Sequence, residues 1–285
     1  MLKYILMGSI LKTFVLLGIL SVILVTLGGL FGETEGIYMA FFFSLLINGG
    51  MYFFSDKLAL KMSRAKPLDK GTHKDIYEMV GELSRKIKIP MPKLYITPDQ
   101  QANAFATGRG PKHASVAVTQ GIIDTLPKEE LRAVLAHELA HVKNRDVLVA
   151  TIAAVLASTI SFISNMAMFG GFGSRNNEDN RGAGMLGIVV AILVPIAAAI
   201  VQMAISRQRE FGADETGAKT IGDGEPLAKA LVAIHNSAKR SPMHTNPALS
   251  SLYIGDPLGG WGGKMLHLFS THPPVEERIK RLKKI

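Results

Sequence analysis

Two long segments without charge constrain the fold of this chain more than any other feature of its sequence. Residues 13–31 and 37–54 contain no Asp, Glu, Lys or Arg, and a helix needs about 20 such residues to cross the core of a bilayer. Aromatic side chains stand near the ends of the second segment, as in the belts of membrane helices. The sequence therefore predicts a transmembrane hairpin over residues 1–54. No small-residue cleavage site follows the first segment, so we interpret it as a retained anchor.

Two further apolar segments, residues 147–170 and 185–204, contain more polar side chains. The first contains several hydroxyl side chains and Asn165, and the second contains Pro195 and Gln202. We predict a second transmembrane hairpin over residues 147–204. The alternative is a helical hairpin that is buried in protein or lies at the lipid headgroups.

The charge pattern predicts the orientation in the membrane. The chain carries 32 Lys and Arg against 23 Asp and Glu, a net charge of +9. Lys3 and Lys12 precede the first apolar segment, only Glu33 and Glu35 separate the first two, and a basic region follows at residues 57–74. Positive residues favour the cytoplasmic side. We therefore expect a multi-pass protein of the cell inner (plasma) membrane whose polar regions face the cytoplasm and whose basic residues contact membrane lipid. Nucleic acid is not an expected partner, because no basic stripe with interleaved aromatics is present.

The polar regions, residues 55–146 and 205–285, are predicted to form one catalytic domain in two parts. Ile76, Val80, Leu83 and Ile87 have helical spacing. The runs "PKLYIT", "NAFAT" and "SVAVT" follow, with "GRGPKH" as a turn between the last two. The predicted fold class is mainly α with a small antiparallel β-sheet, in a multi-pass membrane protein with a zincin-like catalytic domain.

The segment "HELAH" is the strongest chemical signal. His137 and His141 are four residues apart, so both imidazoles project from one face of a helix and can share an ion. Glu138 is placed to reach a water on that ion. The chain has no cysteine, which leaves His, Asp and Glu as ligands. The pattern predicts one Zn²⁺ per chain, with Glu138 as the base that activates water for attack on a carbonyl.

A third ligand is expected in "SRQREFGADETGA". Glu210 and Asp214 are also four residues apart, so Glu210 can complete the metal site while Asp214 accepts a hydrogen bond from a ligating imidazole. The alternative is a charged helix end at the membrane surface, where Arg207 and Arg209 pair with these acids.

Four motifs in order, "NAFATGRGPKHASVAVT", "VLAHELAHVKNRD", "SRQREFGAD" and "LFSTHPPVEERIKRL", resemble the HtpX family of membrane zinc metalloproteases. The chain is more distantly similar to membrane proteases that trim prenylated proteins. The resemblance implies that His137, His141 and Glu210 bind zinc and that Glu138 is the general base. It also implies a cytoplasm-facing endopeptidase whose partners are unfolded or misfolded membrane protein substrates.

The resemblance implies three further roles. Asn103 matches a position on an edge strand beside the cleft that binds substrate backbone; it could equally begin a strand after a turn. His272 matches a histidine that stabilises the oxyanion, and Arg278 an arginine that positions it. By pattern alone, the segment from Thr271 to Glu277 is a helix start and His272 is structural.

Two rival functions stay open on the sequence. A metal-binding membrane scaffold would keep the site without hydrolysis, although the presence of Glu138 disfavours it. A transporter would require charged groups inside the apolar segments, which contain none. We also expect the helix of His137 and His141 to continue into the apolar segment at Val147, which would place the metal about 15 Å from the start of that segment.

Overall fold

A computed structural model describes residues 2–157, 207–241, 243, 249, 252–255 and 272–285 of the chain. The helices in these ranges are α1 Leu2–Met62, α2 Lys74–Ile87, α3 Gln120–Thr125, α4 Lys128–Asn144, α5 Val147–Ala157, α6 Arg207–Ile221, α7 Glu225–Arg240 and α8 Val275–Leu282. The strands are β1 Lys66–Pro67, β2 Lys93–Thr97, β3 Ala104–Gly108 and β4 Ala114–Thr119, and a short 3-10 helix covers Pro111–His113.

Helix α1 folds back on itself. Asn48 Nδ2 donates to the carbonyl oxygen of Leu17 at 3.3 Å, 31 residues earlier, and to Ser21 Oγ at 2.8 Å. A straight helix would separate Asn48 from Leu17 by about 45 Å, so the chain reverses between them. Glu33 has a φ of 48°, in the left-handed region, at the middle of α1. The helix therefore consists of two antiparallel arms, as the hairpin prediction for residues 1–54 requires.

The second arm is the stretch best suited to a bilayer. Within the described ranges, Glu33–Met62 alone is long and apolar enough to cross a membrane, with a mean hydropathy of 1.6 and only 6% of that window buried. Leu17–Thr26 and Val147–Ala157 are shorter apolar segments. The second predicted hairpin, residues 147–204, is described only as far as Ala157, and residues 158–204 lie outside the described part of the chain.

The sheet is mixed, which corrects the prediction of a wholly antiparallel one. Its strand order is β1-β2-β4-β3, and β2 pairs with β4 in parallel, whereas β1–β2 and β3–β4 are antiparallel. The chain crosses from β2 to the far edge to form β3 and returns as β4 in the middle, so β4 runs in the direction of β2. The predicted β3–β4 hairpin is present. Gly108 has a φ of 137°, and a Cβ there would lie 2.2 Å from the carbonyl oxygen of His113.

Two apolar clusters hold the described elements together. The main core joins the sheet to α2, α4, α7 and α8. A second cluster joins Ala59 and Leu60 of α1, Phe105 of β3, Val155 of α5 and Tyr253. Helix α1 thus packs directly against the strand that borders the candidate site.

Helix α4 does not continue into the apolar segment at Val147, contrary to our prediction. Arg145 adopts a φ of 61°, and its N–H bonds the last turn of α4. Such a left-handed residue ends a helix by satisfying its free carbonyl groups. The chain turns there, and α5 begins a new helix at Val147, which is buried in the protein through Ala157.

Candidate metal centre

The two histidines of the HExxH segment point at one spot. His137 and His141 lie on successive turns of α4, and their Nε2 atoms are 3.2 Å apart. Around a tetrahedral zinc ion with bonds of about 2.0–2.1 Å, ligand atoms are separated by about 3.4 Å. The spacing that the sequence predicts for these imidazoles is therefore one that a single ion can bridge.

Glu210 brings a carboxylate to the same spot from α6. Its Oε1 lies 3.4 Å from His141 Nε2, and its Oε2 lies 4.0 Å from His137 Nε2. Of the described residues, these three form the group whose ligand atoms all lie within 4.8 Å of one another. The close approach of α6 to α4 requires Gly217, because a Cβ at that position would lie 3.0 Å from the backbone nitrogen of His137.

A buried ion pair supports His137 from behind. Asp214 Oδ1 lies 2.9 Å from His137 Nδ1, although the N–H is not aligned as in a full hydrogen bond. Arg278 donates to both oxygens of Asp214, at 2.9 and 2.7 Å. Such a carboxylate favours the tautomer with the proton on Nδ1, which leaves the Nε2 lone pair free for a metal. Asp214 and Arg278 are thus brought to the site, on the Nδ1 side of His137.

His141 has a comparable support that the sequence analysis missed. Asp146 Oδ2 lies 3.4 Å from His141 Nδ1, and Arg209 Nε lies 3.8 Å from Asp146 Oδ1. Asp146 reaches this position because the chain turns at Arg145. Five residues separate Asp146 from His141, a spacing that does not share a helix face, so the sequence carried no periodic signal for it.

Glu138 lies beside the metal ligands and lines the same cleft. The Ala106 N–H of strand β3 bonds to its carboxylate. Burial, together with the negative charge of Glu210, raises the pKa of Glu138 to about 7. A carboxyl group with such a pKa can both accept and return a proton near neutral pH.

The site has an excess of negative charge that suits a divalent cation. Glu138, Asp146, Glu210 and Asp214 supply four carboxylates, and two buried or half-buried guanidinium groups, Arg209 and Arg278, face them. Burial alone would lower the pKa of His141, but the charges of Glu210, Asp146 and Glu138 outweigh it and raise that pKa to about 9. Burial lowers the pKa of His137 to about 4. The donor set and its charge fit Zn²⁺.

His272 also reaches the centre. Its Nδ1 lies 3.1 Å from Glu210 Oε2, and the neighbouring cation holds the pKa of Glu210 well below its usual range, against the effect of burial. Its Nε2 is buried and bonds to no atom in the described part of the chain, while the side chain lines the cleft. The predicted position of His272 beside the reacting group is therefore compatible with this geometry.

Asn103 lies outside the cleft, and its side chain bonds to other parts of the protein. Its side-chain amide donates to Gln101 Oε1 and to the carbonyl oxygen of Gly255, both at 3.1 Å, and its Oδ1 accepts from Gly255 N at 3.2 Å. Ile254 N also bonds the carbonyl oxygen of Ala104 on β3. Asn103 thus fixes the segment Leu252–Gly255 along the edge of β3, and its side chain is not available to a substrate.

Fold and site together define a metallopeptidase in which an HExxH helix and a carboxylate-bearing helix are packed below an edge strand. The sequence profile described as Peptidase family M48 matches residues 70–285. The chain is 47% identical over 282 residues to the protease HtpX homolog of Syntrophobacter fumaroxidans, covering 97% of this chain and 99% of the relative. It is 47% identical over 275 residues to that of Pelotomaculum thermopropionicum, covering 95% and 97% respectively.

A solved structure, the crystal structure of S. mikatae Ste24p, aligns with 98% of this chain and 66% of that chain, at 18% identity and a TM-score of 0.48. The chain belongs to peptidase family M48. The resemblance to HtpX proteins drawn from four short motifs is thereby confirmed over nearly the whole length.

Proposed function

We propose that this protein is a membrane-bound zinc endopeptidase in which His137, His141 and Glu210 hold one zinc ion and Glu138 is the general base. The observation that carries the proposal is the convergence of two imidazole Nε2 atoms and one carboxylate beside a buried glutamate. An HExxH sequence that arose by chance would not be expected to have a third metal-binding side chain beside it, and here α6 supplies one.

The residues of the chain divide the reaction between them. Zinc bound at this centre would polarise the scissile carbonyl group and lower the pKa of water. Glu138 takes a proton from the attacking water and returns it to the leaving amide nitrogen. Strand β3 borders the cleft at Ala106, beside Glu138.

His272 acts on the oxygen of the scissile carbonyl. Its Nδ1 faces Glu210, which leaves Nε2 for a hydrogen bond to that oxygen. The donated hydrogen bond strengthens as negative charge develops on the oxygen. Arg278 and Asp214 position the surrounding groups without touching the substrate.

The substrates in this proposal are unfolded or misfolded membrane proteins, cut in extended cytoplasmic segments at the inner membrane. Two observations support a cleft near the bilayer. The second arm of α1 presents exposed apolar side chains over residues 37–58, and the guanidinium group of Arg109, at the end of β3, lies 5.3 Å from the ring of Phe53 in that arm. The proposed topology has two transmembrane hairpins that contact membrane lipid, with the catalytic regions 55–146 and 205–285 in the cytoplasm.

The test compares detergent-purified wild type with Glu138→Gln. Both should bind one zinc ion per chain, and only wild type should cleave unfolded casein or an unfolded membrane protein. His141→Gln serves as the matched control that loses zinc and activity together. Zinc-loaded wild type that cuts none of these substrates would instead support the rival function, a non-hydrolytic metal-binding membrane scaffold.

A further inference from the structure

A second cavity adjoins the metal centre beyond His272. It lies between α7 and α8 and has a volume of about 300 Å³. His272 and Ile254 line both this cavity and the cleft that holds the metal ligands. The two spaces therefore adjoin at these two side chains, so the cavity lies next to the cleft in which the scissile bond would be bound.

The walls of the cavity are mainly apolar. We call it the α7–α8 groove and define it by Leu231, Ile234 and Ala238 on α7, Val275 on α8, and the rim residues His235 and Lys239. Leu231, Ile234 and Ala238 are buried, while Lys239 is exposed and His235 partly so. Polar atoms thus surround the mouth and apolar side chains form the floor, an arrangement typical of a pocket for an apolar group.

We infer that the α7–α8 groove is a specificity pocket that receives one large apolar side chain, such as Leu, Met or Phe, from a residue adjacent to the scissile bond. The inference rests on the proposed endopeptidase function. The size is adequate, because a cavity of about 150 Å³ lined by apolar side chains is enough to bind benzene. Membrane proteins that have lost their fold expose such side chains next to extended backbone, so the pocket matches the proposed substrates.

The experiment maps cleavage sites in unfolded casein by mass spectrometry. Zinc-loaded wild type should favour large apolar side chains by about tenfold over Ala or Ser at one fixed position near the cut bond, the discrimination that an apolar pocket provides. Val275→Trp should fill the groove and shift that position toward small side chains. Val232→Trp is the matched control, because Val232 is on α7, is 44% exposed and lies outside the groove. The cleavage-site preferences of this variant should equal those of wild type.

Two further variants keep the test decisive if Val275→Trp does not fold. Ala238→Leu narrows the groove from the opposite wall, and Val275→Ala widens it, which should admit larger side chains at the same position. Folded, zinc-loaded variants whose profiles match wild type would overturn the specificity pocket and leave the endopeptidase proposal intact. If zinc-loaded wild type cuts no peptide bond, the proposed function and the pocket fall together.

Discussion

At the scale of single residues, each histidine of the proposed zinc site lies against a carboxylate that is not a proposed ligand. Asp214 stands behind His137, and Asp146 stands behind His141. These acids set which imidazole nitrogen carries the proton and how each ring is turned toward the ion. The affinity for metal is therefore expected to depend on residues that never touch it.

Asp146→Asn should weaken zinc binding by about 10–100-fold, because such supporting carboxylates typically contribute that much. Competition with a chelator of known affinity measures the change. Asp124→Asn provides the control, since Asp124 is exposed on α3, where its carboxylate accepts a hydrogen bond from Gln120. Equal zinc affinity in Asp146→Asn and wild type would show that Asp146 has no role in zinc binding.

The pKa of His141 predicts how zinc stabilisation varies with pH. That pKa is raised from 6.5 to about 9, so the protonated ring stabilises the metal-free fold below about pH 6.5, and this contribution is lost as pH rises through 9. The pKa of Glu138 is also raised, to about 7, so this group too makes the metal-free fold less stable as the pH rises.

Metal-free protein should therefore lose on the order of 3 kcal/mol of stability between pH 6.5 and 9 from His141, at about 1.4 kcal/mol per pKa unit. Zinc replaces the proton, so the zinc-loaded form should lose less. Thermal melts with zinc and with chelator, at both pH values, should show a larger zinc-induced rise in Tm at pH 9. A rise that is equal at both values, or smaller at pH 9, would contradict the charge assignment.

The spacing in the sequence predicted the pair of histidines, whereas the role of Glu210 as third ligand was implied by the family resemblance. His137, His141, Glu210 and Asp214 follow the helical repeat, and the structure brings them together. For Asn103, the structure fits the alternative that it begins a strand, but its side-chain partners, Gln101 and Gly255, were not predicted, because Gly255 is 152 residues away in the chain. Such a contact depends on the path of a distant segment, which no local pattern encodes.

At the scale of elements, the metal centre is an interface between α4 and α6. Gly217 allows the two helices to approach, since a Cβ there would lie 3.0 and 3.1 Å from backbone atoms of His137. Backbone atoms cannot move aside as a flexible side chain can. The position of Glu210 relative to the histidines is thus linked to a glycine two turns further along α6.

Gly217→Ala should cost about 1–3 kcal/mol of stability, as overpacking of a close contact does, and should lower zinc affinity. Gly212→Ala is the matched control on the same helix. A Cβ at Gly212 meets nothing within 4 Å, so this change should be neutral or stabilising, because alanine is the better helix former. Thermal unfolding and zinc titration of both variants give the answer. Equal stability and equal zinc affinity of the two variants would show that α4 and α6 can move apart without loss of either property.

The arrangement of the elements was only partly predictable. The glycine-rich turn correctly indicated the β3–β4 hairpin. The parallel pairing of β2 with β4 was not apparent, because strand order depends on where a connection crosses the sheet. The end of α4 at Arg145 was also missed, since arginine is an ordinary helix residue and only its backbone conformation reveals the turn.

At the scale of the whole molecule, helix α1 and the region that contains the cleft are packed together. Apolar side chains of α1, β3 and α5 share one cluster with Tyr253 of the cleft. The exposed surface of the second α1 arm faces away from that cluster toward the surroundings. The cleft therefore lies close to the helix that is best suited to a bilayer.

The proposed orientation can be tested with single cysteines, because the chain contains none. Glu35, between the two arms, and Lys70, after α1, are both exposed. The basic residues near Lys70 predict that it is cytoplasmic. A membrane-impermeant maleimide should label Glu35→Cys in right-side-out vesicles and Lys70→Cys only in inside-out vesicles. The reverse pattern would place the catalytic region on the opposite side.

The fully buried Arg278 has a consequence for the timing of activity. It bonds Asp214 behind the first histidine and also donates to the carbonyl oxygen of Ile254 in the wall of the cleft. Among these groups Arg278 is the last to be translated, long after His137 and Glu138 have left the ribosome. A chain still under synthesis therefore lacks the guanidinium group that holds Asp214 in place, and we expect its metal centre to be incomplete.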